Sequence, residues 1–141
     1  MRHFLKQERR TYIAQLEGLA VLAALTTWPA RLAGRRVALF IDNTVALSGL
    51  VHGYARDADL ATIVNAYHLM AAGMRTVAYM DYVPSKANIA DLPSRGSHLI
   101  PRALGARVIP LTVPSYQLLN RPLVQWLQDG EKHGRGREWP T

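Results

Sequence analysis

Three acidic residues stand where an acid has no ordinary reason to be. Glu17 is the only acid between Glu8 and Asp42, and it interrupts a largely apolar helical stretch from Ile13 to Leu25. Asp42 closes the continuous apolar run Val37 to Ile41, and Asp91 follows a polar loop close to an expected helix start. A carboxylate buried without a partner is costly, so each of these should be paired, neutral or directed at an ion. One helix-borne and two strand-end acids can converge at one edge of a sheet. Gathered there, they repel one another unless divalent cations neutralise them. An oxygen-only donor set of this kind suits Mg²⁺ or Mn²⁺. Each acid also has a plainer alternative: Asp42 and Asp91 as helix caps, Glu17 as the partner of a nearby arginine.

The elements that must position these acids follow from the hydrophobic pattern. Ile13, Leu16, Ala20, Ala23 and Thr27 recur at helical period, and Leu19, Leu22 and Leu25 widen the apolar face, which predicts a mostly buried helix over Tyr12 to Trp28. Pro29 lies just past its end. Val37 to Ile41 reads as a buried strand. A short helix from Thr44 to about His52 should stop at Gly53, and Asp57 or Asp59 should cap a longer one reaching Gly73. Thr76 to Val83 alternates and ends at Pro84, as a second strand would. Ser85 to Asn88 is a polar loop, with a short helix near Ile89 to Leu92. Arg107 to Leu111 has strand character, and Ser115 to Gln128 helical character. This order points to an α/β domain over residues 11–128, preceded by a basic lead-in (1–10) and followed by a disordered polar tail (129–141).

Bulk properties narrow the classes. The 141 residues suit one domain, and 49% apolar content is enough for a core. A net charge of +7 favours a polyanionic partner, nucleic acid first. The absence of cysteine excludes disulfides and thiolate zinc sites. No apolar run reaches the roughly 18 residues of a membrane span, and no signal-peptide layout is visible. The expectation is an intracellular protein, cytoplasmic or nuclear, with no membrane partner.

The run Phe40-Ile41-Asp42-Asn43-Thr44 resembles the strand-end motif of the ribonuclease H domains of retrotransposon polyproteins. The block Val83 to Arg95, with its V-P-S loop, N-x-A-D and S-R, resembles their later motif, and Gln15-Leu16-Glu17 with Ala20 resembles their glutamate helix. The resemblance covers about residues 11 to 96. It implies a ribonuclease H-like α/β fold: a partial mixed sheet flanked by helices, with the opening strands and the first ligand aspartate missing. It further implies that Glu17, Asp42 and Asp91 are catalytic metal ligands. Two Mg²⁺ ions about 4 Å apart would then serve hydrolysis of the RNA strand of an RNA–DNA hybrid, recognised by shape and 2′-hydroxyls. The remaining partners implied are the missing amino-terminal strands or a reverse transcriptase domain in a longer product.

Asn43, Ser85, Lys86 and Arg95 are candidate nucleic-acid contacts, with Lys86 and Arg95 suited to phosphate. Asn43 could equally close the strand, and Lys86 and Arg95 could be solvated surface charges. His52 and His68 do not stand at metal-ligand spacing, and Trp28 and Trp126 read as packing residues. With three of four acids present, the expected hydrolytic activity of this chain alone is little or none. The competing reading is a non-catalytic nucleic-acid-binding or scaffolding domain that keeps the remnant of the fold.

Overall fold

The structure is a computed structural model that describes residues 2–141, without the side chains of 2–11 and 116. It is a mixed α/β arrangement built on a two-stranded parallel sheet. Helix α1 (Arg2–Thr27) and a short turn of helix, α2 (Pro29–Leu32), lead into strand β1 (Arg36–Ile41). Helices α3 (Thr44–His52) and α4 (Ala58–Met74) form the crossover to β2 (Val77–Tyr82). After a 3₁₀ turn (Ser85–Ala87) come α5 (Asp91–Ser94), α6 (Leu99–Ala103), α7 (Tyr116–Leu119) and α8 (Leu123–Gly134). Parallel pairing requires such a crossover, and Arg36 stands opposite Val77 and Ile41 opposite Tyr82. No helix is long and apolar enough to cross a membrane among the described residues.

The core forms where α4 is covered on both flanks. Leu60, Ile63, Val64, Tyr67, Met70 and Met74 of α4 are buried with Leu22 and Leu25 of α1, Leu50 of α3 and Trp126 of α8. Helix α8 lies unusually close to α4. A Cβ built on Gly73 would meet the backbone carbonyl of Leu127 and would come within 2.7 Å of the Glu131 amide nitrogen. Gly130 and Gly134 face α4 in the same way. Trp126, only 1% exposed, stacks under the Arg121 guanidinium at 4.0 Å. Arg121 and Lys132 both pair with Asp129, at 2.6 and 2.7 Å, and these bonds, that of Lys132 foremost, hold its carboxyl below the usual range.

Several sequence expectations change. The lead-in is helical: α1 begins at Arg2, because Lys6, Gln7, Glu8, Arg9 and Arg10 are straight-chain helix formers. The buried stripe of α1 is Ala14, Gly18, Leu22 and Leu25, which leaves Ile13 and Leu16 exposed. Strand β1 is not buried on both faces: Val37, Leu39 and Ile41 turn inward, whereas Arg36, Ala38 and Phe40 are exposed. The sheet is parallel rather than mixed. Arg107 to Leu111 stays outside any strand, because no neighbouring edge pairs with it among the described residues. Helix α8 starts at Leu123, behind Pro122, and runs beyond Gln128 to Gly134. The expected disordered tail therefore begins as helix, since Gly130 and Gly134 are held against α4.

Gly73→Ala should force α8 away from α4, because the added carbon meets backbone rather than a movable side chain. The expected loss is about 1–3 kcal/mol of stability, read from urea unfolding. A variant as stable as the parent would show that the two helices do not cross this closely.

Candidate functional site

The carboxyl end of the sheet is assembled from three separate elements. Asp42 leaves β1 directly after Ile41, and the adjoining β2 end is held in place by a hydrogen bond from the Val83 amide to the Ile41 carbonyl (3.1 Å). Asn43 closes this turn: its side chain accepts from the Ala46 amide at 2.9 Å and caps α3. The capping role that the plainer alternative gave to Asp42 falls instead to Asn43, and Asp42 is left free of that task.

The 85–91 loop is tied to Asp42 through Asn88. Its Nδ2 donates to Asp42 Oδ2 at 3.2 Å while its Oδ1 accepts from the Ala90 amide at 3.1 Å. One carboxamide thus sets the loop against the strand end and leads the chain into Asp91, whose amide donates to the Asn88 carbonyl (3.0 Å). Asn88 is the positioning residue that sequence reasoning quoted in the motif without giving it a task. Asp91 opens α5. Its Oδ2 pairs with Arg95 Nε at 2.7 Å, one helical turn on, and its Oδ1 accepts from Ser94 Oγ at 3.3 Å. Arg95 is largely exposed, and Ser85 and Lys86 are exposed on the 3₁₀ turn.

Glu17 arrives from α1. Gly18, next to it, lets that helix close on α4, since a Cβ there would lie 3.0 Å from Leu60 Cδ1. Gln15 Nε2 donates to Asp57 Oδ1 at 2.7 Å, and Asp57 in turn caps α4 through the Leu60 amide (2.8 Å). These two bonds, Leu60 before Gln15, hold the Asp57 carboxyl below the usual range. Glu17 behaves in the opposite way. Its pKa is raised, first by burial, then by the charge of Asp42, then by that of Asp91. Glu17 is therefore near enough to both Asp42 and Asp91 to feel the charge of each. Glu17 has no arginine partner among the described residues.

Two further facts qualify the group. Among the described residues no three acidic, His or Cys side chains stand as a closed ligand set. Asp91 already has a cation of its own in Arg95. The donor chemistry nevertheless fits a hard divalent ion: oxygen ligands only, with Glu17 and Asp42 lacking any basic partner. A cleft of about 470 Å³ runs along α3 from Thr44, with Tyr54, Arg56 and Asp57 in its lining and none of the three acids. The histidines serve the backbone instead: His52 Nδ1 lies 2.8 Å from the Ser48 carbonyl and His68 Nε2 lies 2.6 Å from that of Leu50.

Since folding raises the Glu17 pKa, the native chain binds that proton more tightly than the unfolded one. Native stability is therefore fully retained below the unfolded value of about 4.3 and falls as pH rises through the folded value. Glu17→Gln should melt higher than the parent at pH about 7, with the gap closing by pH about 3, where the carboxyl is protonated in both states. A variant less stable than the parent at both pH values would mean that Glu17 is not held under repulsion. Comparison of the chain with protein-family models, with curated proteins and with solved structures finds no match.

Proposed function

We propose that Glu17, Asp42 and Asp91 form a metal-dependent nuclease site of the ribonuclease H type, directed at the RNA strand of RNA–DNA hybrids. The observation that carries this reading is that Glu17 of α1 feels the charges of both Asp42, which follows β1, and Asp91, which opens α5, at the carboxyl end of a parallel sheet. Ligands of α/β sheets bind at that end. A group of like charges so placed is stabilised by a cation and by little else. When bound there, Mg²⁺ or Mn²⁺ supplies an activated water and stabilisation of the leaving oxygen. The chain contributes the rest. Asn88 orients Asp42, Ser94 and Arg95 orient Asp91, and exposed Lys86 and Arg95 lie where phosphates would approach. The Tyr54 and Arg56 wall of the adjoining cleft suits a sugar–phosphate strand for the same reason.

A second reading has its own observation. Arg95 neutralises Asp91 from within the chain, and the described acids do not close into a ligand set. That favours a non-catalytic domain that holds nucleic acid through its basic surface.

Titration with Mn²⁺ or Mg²⁺ at neutral pH should raise the melting temperature of the parent chain and leave Asp42→Asn unmoved, since a ligand bound only by the native state stabilises it. No metal effect on the parent would sink the nuclease reading. Cleavage of a labelled RNA–DNA hybrid should be little or none, because among the described residues only Asp42 and Asp91 act on Glu17, where the resemblance implies a fourth carboxylate. Clear Mg²⁺-dependent cleavage, abolished by Asp42→Asn, would refute that expectation of weak activity while establishing the reaction. Hybrid binding that survives EDTA and is unchanged in a Glu17/Asp42/Asp91 triple alanine variant would favour the second reading.

A further inference from the structure

The opposite end of the sheet carries a second concentration of charge, of the other sign. Arg35 and Arg36 lead into β1, and the Val77 amide at the start of β2 donates to the Arg35 carbonyl at 3.0 Å. Arg75 ends α4 in the left-handed conformation (φ 57°) and its guanidinium donates to the Arg137 carbonyl. Gly34 donates to the Met74 carbonyl at 2.9 Å, and a Cβ built on it would lie 3.0 Å from Arg137 Cβ. Arg135 shares a cleft of about 260 Å³ with Arg75 and Glu131. Five arginines from three separate chain segments thus converge at one pole. None of them is in an ion pair among the described residues, and four of them are exposed. The acids at hand, Glu131 and Glu138, leave an excess of three positive charges over these five arginines.

Trp139 stands in the middle of this pole. It is 54% exposed and walls two clefts at once: the arginine-lined one, and a second of about 400 Å³ that also contains Tyr67, His68 and Tyr79. Tyr79 is itself 64% exposed on the outer face of the sheet. The polar groups in the second cleft are already engaged, His68 with the Leu50 carbonyl and Thr76 Oγ1 with the Leu32 carbonyl (2.9 Å). Tyr67 is buried and the Tyr79 hydroxyl donates to Asp81 at 3.2 Å, so what that cleft offers is the exposed Trp139 ring with Tyr79 beside it rather than a hydrogen-bond code.

We propose that this pole, formed by Arg35, Arg36, Arg75, Arg135, Arg137 and Trp139, binds single-stranded nucleic acid. Phosphates lie on the arginines, and a base stacks on Trp139 in the cleft it shares with Tyr79. Unpaired guanidinium groups beside exposed rings are the combination that holds single strands with little sequence preference. The pole lies about 20 Å from Asp42, six strand residues away. It is distinct from the acidic group and does not rest on the nuclease reading. A base fits better than a lipid surface here, because the Trp139 ring walls clefts instead of crowning an apolar ridge.

The test is fluorescence anisotropy of a labelled short oligothymidylate with the full chain, in EDTA, over a salt series. Arg135→Gln/Arg137→Gln should weaken binding about tenfold or more and flatten the log–log salt slope by about 1.4, the share of two phosphate contacts on a single strand. Arg35→Gln/Arg36→Gln, on a different segment, should do the same, so that the result does not hang on one region's folding. Trp139→Ala should weaken binding about tenfold at unchanged salt slope, and Trp139→Phe should restore most of it. Asp42→Asn should not weaken it, whatever becomes of the nuclease reading. Parental affinity and slope in both arginine pairs, parental affinity in Trp139→Ala, or binding to anionic phospholipid vesicles without binding to the oligonucleotide would each overturn the proposal.

Discussion

The packing of α4 between α1 and α8 is the constraint on which the remaining structure depends. Most of its apolar side chains are buried, and glycines bring both neighbours close: Gly18 seats α1 on the Leu60 and Ile63 side chains, and Gly130 and Gly134 bring α8 to the α4 backbone around Gly73. Each end of α4 is then fastened to a different part of the chain. At the amino end, Asp57 caps the helix and is held by Gln15, two residues before Glu17. At the carboxyl end, Arg75 is fastened to the Arg137 carbonyl. A helix of 17 residues is about 25 Å long. It therefore acts as a strut with an acidic group near one end and a basic one at the other.

The acidic group is a local conflict that this frame sustains. Burial and two neighbouring carboxylates push the Glu17 pKa up, and no ion pair among the described residues relieves it. Asp91 shows what relief looks like, since Arg95 sits against it at 2.7 Å. Asp42 is intermediate, with a neutral donor, Asn88, in place of a cation. Such an arrangement is tolerated because α1 and α4 are fixed by apolar contacts that do not involve the acids. Local inconsistency in an otherwise consistent structure is the usual mark of a site kept for something other than stability.

The sequence made the acids legible because each broke a pattern. Glu17 interrupted an apolar helix, Asp42 ended an apolar run, and Asp91 followed a polar loop, and all three meet in space. The crossover helices were equally legible, since Asn43 and Asp57 cap their starts with side chains and Gly53 ends α3 in the left-handed conformation. What escaped was whatever depends on the neighbour an element finds. Periodicity alone put Ile13 and Leu16 on the buried stripe of α1. The close approach to α4 at Gly18 selects Ala14, Leu22 and Leu25 instead. A continuous apolar run suggested that β1 is covered on both faces, but with one partner strand it is covered on one. Composition suggested a loose carboxyl terminus, whereas glycine at positions 130 and 134 is what lets that segment lie on α4.

The two charged poles bear on one another through the sheet. Strand β1 begins at Arg36 and ends beside Asp42, so a polyanion following its direction meets attraction at one end and repulsion at the other. The attraction needs nothing added, because the five arginines have no acidic partners among the described residues. On the proposed metal reading, a divalent ion at Glu17, Asp42 and Asp91 would remove the repulsion and bridge to phosphate instead. Metal would then change where a strand can lie on the surface more than whether it is held at all. The two poles themselves balance, five arginines against Glu131, Glu138 and the three acids, so the net charge of +7 is carried by the basic residues spread along the rest of the chain.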